Sequence, residues 1–309
     1  MTDQNFHEHE LSLQNKMGMR EQIDTLTERL MHDEMPDQHR AFFAGLEYIF
    51  LGTVGEDEKP YASVLTGSAG FVSSADAKTL TITKPADDRN PAFASLAVGS
   101  PVSVLGIDLS NRRRNRMHGK ISRIDKDGFD ITVSQSYGNC PKYISTRAIA
   151  DRIQSPEGAE ATERDELSTE DIDLITKSDT FFIASHHLDG SGQPYEGSDI
   201  SHRGGNPGFI HVEGPGRFIV PDYKGNNLFN TIGNLVSNSA AALLFVDFET
   251  GDLLHINAAA AIIEDDVAIA AYPGAKRLIS FNVLHVRRTE AGIGLRWQLL
   301  KPSPVNPEL

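Results

Sequence analysis

Two turns in the C-terminal half of the sequence gather cationic, hydroxyl and amide side chains. Residues 201–205, Ser-His-Arg-Gly-Gly, end one predicted strand, and residues 224–227, Lys-Gly-Asn-Asn, follow the strand end at Val220-Pro221 and open into a predicted short helix. A bound anion needs such donors, close approach of backbone N–H groups, and gains from a helix N-terminus. Each turn taken alone is also ordinary turn chemistry. Together they predict an anion site with these donors: Ser201, Arg203, Lys224, Asn226 and Asn227.

Four arginines, Arg112, Arg113, Arg114 and Arg116, stand together in a chain whose formal net charge is −14. In such an acidic protein the cluster is either a solvated, paired surface hairpin or a second place where an anion binds. The overall negative charge would repel a phosphate backbone, so we expect no nucleic-acid partner.

The sequence argues against several other kinds of site. The single cysteine, Cys140, rules out an intrachain disulfide and a zinc site built from several thiolates. His186 and His187 are neighbours on a predicted strand and point to opposite faces, so we expect no metal there. Neither a long apolar run nor a secretory signal pattern is present, which predicts a cytoplasmic protein without a membrane segment.

The chain repeats itself in several blocks that follow the same order. The blocks are 48–66 with 180–200, 68–83 with 206–220, and 85–109 with 221–248. The pairs Pro60-Tyr61 and Gly70-Phe71 correspond to Pro194-Tyr195 and Gly208-Phe209 in this comparison. One match could arise by chance, but an ordered series indicates a duplicated domain.

Short β-rich runs in both copies predict a mainly β (α+β) fold made of two tandem barrels, although a sandwich would give a similar pattern. Apolar spacing predicts helix over residues 10–31, and Ser168 with Asp171 marks a further helix start. The predicted organisation is an N-terminal helical segment (1–40), a first barrel (41–150), a polar linker (151–169) and a second barrel (170–309).

Two segments of the second copy resemble the pyridoxamine 5′-phosphate oxidase-like family of FMN-binding split β-barrels. FIVPDYKGNNLFNTIGNLVSNSAAALLFVDF (218–248) resembles its strand, basic phosphate loop, helix and buried strand, and DISHRGGNPGF (199–209) resembles the Ser-x-Arg-Gly segment of a probable FMN-dependent subgroup. GIDLSNRRRNRMHGKI (106–121) and QSYGNCPKYISTR (135–147) extend the resemblance to the first copy. It covers nearly the whole chain after about residue 40.

The resemblance implies that two six-stranded split barrels pair and that FMN lies in the groove between them. It carries the phosphate role onto Ser201, Arg203, Lys224, Asn226 and Asn227, with His202 in the same segment. It implies that Val220 and Pro221 lie along the isoalloxazine, mainly through their backbone. It implies a contribution of the first barrel through Arg114, Arg116, Gln135, Ser136, Asn139 and Cys140.

The first copy departs from the family pattern at its own phosphate loop. Its segment LTGSAGFV (65–72) has no arginine, and PADDRNP (85–91) places two aspartates beside Arg89. Because acidic side chains repel a phosphate dianion, we expect this copy not to bind FMN in the same way.

Three functions remain open. The first is an FMN-dependent oxidoreductase that exchanges a hydride at flavin N5, with an unknown small-molecule redox substrate and NADH or NADPH as candidate electron donor. The second is a flavin- or haem-binding carrier or sensor, in which His202 is a candidate ligand, and the third is a barrel that has lost its ligand. No residue is assigned as a catalytic acid or base, Arg112, Arg113 and Arg116 are candidates for holding an anionic substrate, and a homodimer is expected from the pairing habit of the family.

Overall fold

The computed structural model of the chain describes residues 5–84, 90–93, 96–154 and 161–308. Its N-terminal segment forms two helices, α1 (Glu8–Lys16) and α2 (Arg20–Leu30), where the apolar spacing predicts a single helical stretch. Gly18 separates the two helices with φ +63°. This left-handed conformation ends a helix, and glycine adopts it without a steric penalty.

The first barrel follows directly after these helices. Its elements are β1 (Met31–His32), α3 (Asp37–Ala44), β2 (Tyr48–Val54), β3 (Pro60–Thr66), β4 (Val72–Ser73), β5 (Thr79–Ile82), β6 (Pro101–Asp108), β7 (Arg113–Asp125) and β8 (Gly128–Gly138). The antiparallel strands are ordered β3-β2-β6-β7-β8-β5-β4, and β1 pairs with β8.

The second barrel repeats this arrangement. The remaining elements are β9 (Thr146–Arg152), β10 (Thr162–Arg164), α4 (Thr169–Lys177), β11 (Thr180–His187), β12 (Gly197–Gly204), β13 (His211–Gly214), β14 (Arg217–Tyr223), α5 (Asn230–Ser237), β15 (Ala240–Val246), β16 (Leu253–Ile263), α6 (Asp266–Ala270), β17 (Ala275–Thr289) and β18 (Leu295–Lys301). The strand order is β12-β11-β15-β16-β17-β14-β13, and β10 pairs with β17 as β1 pairs with β8. The predicted fold class of two tandem split barrels is confirmed.

Three apolar cores explain why the central strands lack the alternation of a half-exposed sheet. One core fills each barrel. A third joins the barrels and contains Phe50 and Leu105 from the first together with Phe182 and Leu244 from the second. Strands β2 and β11 are therefore buried on both faces along their whole length, as their continuous apolar runs require.

The predicted boundaries differ from the structure at two places. Strand β10 and the end of β9 lie inside the predicted linker 151–169, because polar residues form edge strands there, β9 pairing with β18 and β10 with β17. The Pro-Tyr pairs also do not correspond. Tyr61 lies within β3 opposite Thr53, whereas Tyr195 lies in the turn before β12.

The longest helix of the described residues has 11 residues, and none is long and apolar enough to cross a membrane.

Candidate functional site

A cavity of about 330 Å³ lies between the two barrels, within the size range of small-molecule sites. The first barrel contributes the start of β7 and the segment after β8. The second barrel contributes the ends of β12 and β14, the loop after β14 and the start of α5. Met17 and Met19, in the turn between α1 and α2, also line it. Both copies and the N-terminal segment therefore form one site.

Most of the residues singled out in the sequence are brought together here. Those that line the cavity are Arg114, Arg116, Asn139, Ser201, His202, Arg203, Pro221, Lys224, Asn226 and Asn227. Arg112 and Arg113 are not among its lining residues, so the arginine cluster divides between surface and cavity.

Four residues that the resemblance assigns to the site lie away from the cavity wall. Val220 is buried in the core of the second barrel, and the hydroxyl of Ser136 is hydrogen-bonded to His39, 2.8 Å away. Gln135 donates to the carbonyl of Asn5, 3.3 Å away. Cys140 is partly exposed and is not among the lining residues. Side chains alternate between the two faces of a strand, and the N-terminal segment packs on the first barrel. Together these explain why Val220, Ser136 and Gln135 lie away from the cavity wall.

The cavity wall is strongly cationic in an acidic protein. Its cations are Arg114, Arg116, Lys142, Arg203, Lys224, Lys276 and Arg277. Asp222 is the single carboxylate among the described residues that line it. Asp222 pairs with Arg203 and lies 3.5 Å from Arg277, so one carboxylate serves two guanidinium groups.

Arg114 is an uncompensated charge of this site. Within the described part of the chain it has no ion-pair or hydrogen-bond partner, and its Nε atom is buried. Burial, together with repulsion from Arg116 and Arg203, lowers the pKa of Arg114 to about 9. A partly buried cation without a partner is costly, and an anion in the cavity would remove that cost.

His202 provides a neutral group beside these cations. Burial, followed by repulsion from Arg114 and Arg147, holds the pKa of His202 well below its usual range. Its Nε2 atom is buried without a hydrogen-bond partner among the described residues. The imidazole can therefore hydrogen-bond or ligate a bound molecule.

The loop after β14 is shaped by its asparagines. Asn226 donates to Asn139 of the first barrel across 3.0 Å and accepts from the backbone of Leu228 at 3.2 Å. Asn227 and Phe229 both have positive φ, 62° and 67°, so α5 begins at Asn230 rather than directly after the lysine turn. The first residues of α5 line the cavity, which places its positive dipole end there.

A buried polar network lies beneath the cavity. The guanidinium of Arg116 lies 2.8 Å from a carboxylate oxygen of Asp199 and donates to Ser201 across 2.7 Å. The Ser201 hydroxyl in turn donates to Asp199 at 2.9 Å. Burial raises the pKa of Asp199, but Arg116 and then His118 outweigh it and bring it to about 2. Ser201 is thus engaged within the protein, which differs from the phosphate role expected for it.

The N-terminal segment extends this network. Glu10 accepts from Asn230 at 2.7 Å, and Asn230 accepts from Arg116 at 3.1 Å. Phe6 and Ile23 pack with Tyr137 and Leu228 in a small separate core. The helices that precede the first barrel are therefore part of the site.

Sequence reasoning missed several lining residues. Asp222 stands inside the quoted PDYKGNN motif, so its charged side chain next to the basic loop could have been identified from the sequence. Tyr143 donates to the carbonyl of Lys224 at 3.1 Å, and Arg277 stacks over Phe229 with 5.0 Å to the ring centroid. Lys142 stands inside the quoted segment QSYGNCPKYISTR, whereas Lys276 carried no local motif. Among the described residues no cluster of histidine, cysteine or acidic groups could hold a metal ion.

Comparison with known proteins gives a match to one family. Residues 35–158 match the family model described as pyridoxamine 5′-phosphate oxidase, and no curated protein matches the chain. HupZ of Group A Streptococcus is 19% identical, with 42% of this chain and 98% of that chain covered and a TM-score of 0.30.

Two further solved structures carry flavin in their names. An FAD-binding protein from Mycobacterium smegmatis is 17% identical (40% of this chain, 98% of that chain, TM-score 0.27). An FMN-binding protein from Syntrophomonas wolfei is 12% identical (38% and 88%, TM-score 0.26). By its family model, the stretch from residue 35 to residue 158, which holds the first barrel, is similar to the pyridoxamine 5′-phosphate oxidase family.

Proposed function

We propose that this chain binds FMN in the cavity between its barrels and acts as an FMN-dependent oxidoreductase. The observation that carries the proposal is the charge of the cavity wall: seven cations against one carboxylate, with Arg114 unpaired within the described chain. A phosphate dianion supplies the missing counter-charge. The family match of residues 35–158 supports a ligand of this class.

Some residues of the cavity wall suit the phosphate of FMN, and others suit its ring. Arg114, Arg203 and Lys224 supply charge for the phosphate, and the start of α5 adds backbone N–H groups. Pro221 and His202 are the less polar neighbours available to the ring. Asp222 holds the guanidinium of Arg203 in place, which lowers the entropy lost when an anion binds.

Flavin, when bound, supplies hydride exchange at its N5 atom, and the chain supplies binding and electrostatics. Arg116 is held by Asp199 and Ser201, so its positive charge is fixed at the cavity wall. A fixed cation stabilises negative charge that develops nearby. NADH or NADPH would enter as a diffusible electron donor.

A pair of arginine variants on the same strand tests flavin binding. Arg114→Ala should weaken FMN binding roughly ten- to a hundredfold, because a charge-assisted hydrogen bond contributes about 1.5–3 kcal/mol. Arg123→Ala is the matched control, since Arg123 lies on β7 outside the cavity and pairs with Asp130. Fluorescence titration with FMN measures both. Equal affinities in the two variants would refute the site.

Turnover is tested separately from binding. Bleaching of the flavin absorbance by NADH or NADPH, followed by recovery in air or with an electron acceptor, is expected of the oxidoreductase. A flavin that stays oxidised with either donor would reduce the proposal to a flavin carrier.

A haem carrier is the second candidate, and His202 is the observation that favours it. His202 lines a cavity whose cations suit the propionates of haem, and its neutral imidazole has a buried Nε2 atom without a hydrogen-bond partner among the described residues. A Soret band after addition of haemin, lost in His202→Ala and kept in Arg123→Ala, would support it. FMN binding without a Soret shift would exclude it.

A further inference from the structure

The two barrels can be matched residue by residue across their strand ladders. Phe50 and Phe182 hold equivalent places in β2 and β11, and their rings stack with centroids 3.5 Å apart. In the first barrel, Phe50 pairs with Leu105, which pairs with Arg116 on the next strand. In the second barrel, Phe182 pairs with Leu244, which pairs with His255. His255 is therefore the second barrel's counterpart of Arg116.

A second groove, of about 400 Å³, is lined by residues of both barrels. It is bounded by β3 of the first barrel and by β15, β16 and β17 of the second. Its lining includes Tyr61, Ala62, Ala242, Leu243, His255, Asn257, His285 and Arg287. It is distinct from the cationic cavity, with which it shares no lining residue among those described.

His255 is a buried polar side chain aimed into this groove. It is 9% exposed, and neither imidazole nitrogen has a hydrogen-bond partner of standard geometry among the described residues. Burial, with repulsion from Arg287, lowers the pKa of His255 to about 4. The ring is neutral near pH 7, so it carries one donor and one acceptor, and apart from a contact with the backbone of Arg287 neither is satisfied within the described chain.

Among the described residues, the second groove has no counterpart of Arg203. Leu65, opposite Ile49, stands where Arg203, opposite Phe181, stands in the second barrel. The first barrel therefore has an apolar side chain at the position where the second barrel has the guanidinium that pairs with Asp222 in the cationic cavity.

The cations of the second groove are compensated. Lys59 lies 2.9 Å from Asp57, and Arg287 lies 2.5 Å from Glu163. A dianion would have to compete with these carboxylates. The groove therefore favours a ligand with little or no charge.

We propose that the second groove binds a flat heteroaromatic ring that carries no phosphate, hydrogen-bonded through its polar edge to His255. Ala62 and Ala242, from different barrels, leave room between apolar walls for such a ring. Asn257, held by a hydrogen bond to the carbonyl of Pro60 at 3.2 Å, provides a second polar contact. A ring nitrogen, carbonyl or N–H group at the edge of the ligand can form a hydrogen bond with one nitrogen of the imidazole.

Lumichrome and nicotinamide are suitable probes, because both are flat heteroaromatic compounds without phosphate. The full-length protein is titrated with each, alone and with excess FMN to block the cationic cavity. We expect saturable binding under both conditions, weakened roughly tenfold or more in His255→Ala and restored in part in His255→Gln. Lys224→Ala, a change in the other site, should leave this binding unchanged.

Nitrogen-15 NMR of the histidine rings gives a second readout. The probe should shift the His255 imidazole signals by forming a hydrogen bond with one ring nitrogen. The proposal is overturned if neither probe saturates, or if His255→Ala binds as tightly as the parent chain. Because the measurement with probe alone does not depend on flavin, failure of FMN binding would leave this result interpretable.

Discussion

Arg116 of the first barrel and Asp199 of the second form a buried ion pair, with 2.8 Å between guanidinium and carboxylate. Both side chains are almost fully buried. The pair joins the barrels directly beneath the cavity, so the shape of the site and the association of the two copies depend on the same contact.

Asp199→Asn should therefore destabilise the protein strongly, by about 3–5 kcal/mol, because Arg116 stays buried without its counter-charge. Urea unfolding at neutral pH measures the loss. Asp130→Asn, on the partly exposed partner of Arg123, is the control and should cost much less. Similar losses in both variants would contradict a dominant role for the buried pair.

Acid stability should depend on the same carboxylate. The pKa of Asp199 falls from the ordinary 3.8 to about 2. Its contribution is thus present above about pH 4 and is lost as the pH falls through about 2. Asp199→Asn should flatten the acid limb of the unfolding free energy between these values. An unchanged limb would assign acid unfolding to other carboxylates.

Docking of the N-terminal segment should weaken at alkaline pH. Burial raises the pKa of Glu10 from 4.5 to about 8, against hydrogen bonds from His7 and Asn230 that lower it. The contribution of Glu10 is therefore full below about pH 4.5 and is lost as the pH rises through about 8. Limited proteolysis within residues 5–30 should become faster over this range.

Glu10→Gln should remove most of that pH dependence, because glutamine does not titrate. Glu8→Gln is the matched control, since the Glu8 side chain on the same helix is 83% exposed. If cleavage of the Glu10→Gln chain still accelerates with pH as in the parent, Glu10 does not control docking.

Gly204 should tolerate no side chain. A Cβ there would meet the carbonyl oxygen of Tyr143 at 2.2 Å, whereas a Cβ at Gly225 would meet nothing within 4 Å. We expect Gly204→Ala to cost about 1–3 kcal/mol through overpacking and Gly225→Ala to stay within about 0.5 kcal/mol. Thermal unfolding compares the two, and an equal, small effect would show that the backbone shifts freely.

Flavin affinity should be sensitive to salt. Screening between about 0.05 M and 0.5 M salt should weaken FMN binding several-fold, since partly exposed lysines of the wall attract the phosphate. Riboflavin, which lacks the phosphate, should bind more weakly and show little salt dependence. Equal salt dependence for the two ligands would argue against a phosphate subsite.

The local sequence predicts that Arg203 and Lys224 lie close together, because both stand at strand ends where turn chemistry is readable, and both line the cavity; their role as phosphate donors stays a prediction. It also predicts the duplication, since strand order follows from repeated apolar runs. Asp222 and Arg277 were harder to identify, because their pairing depends on strands far apart in sequence.

The contact of α1 with α5 was not predictable from local patterns. Glu10 and Asn230 are separated by 220 positions, and the polar composition of α1 indicates an exposed helix. Its burial depends on tertiary packing, and that packing also diverts Gln135 from the cavity to the backbone of Asn5. Of the two segments that predict a degenerate phosphate loop in the first copy, 65–72 is described, whereas residues 85–89 of the segment 85–91 lie outside the described residues.

The stacked rings of Phe50 and Phe182 mark an approximate two-fold axis that runs through a single polypeptide. In a homodimer encoded by one sequence, every substitution occurs at both symmetry-related positions. Here Arg116 and His255 mutate independently, so selection can alter one binding place without disturbing the other. Because the two barrels are covalently joined copies, their sequences no longer have to be identical at symmetry-related positions.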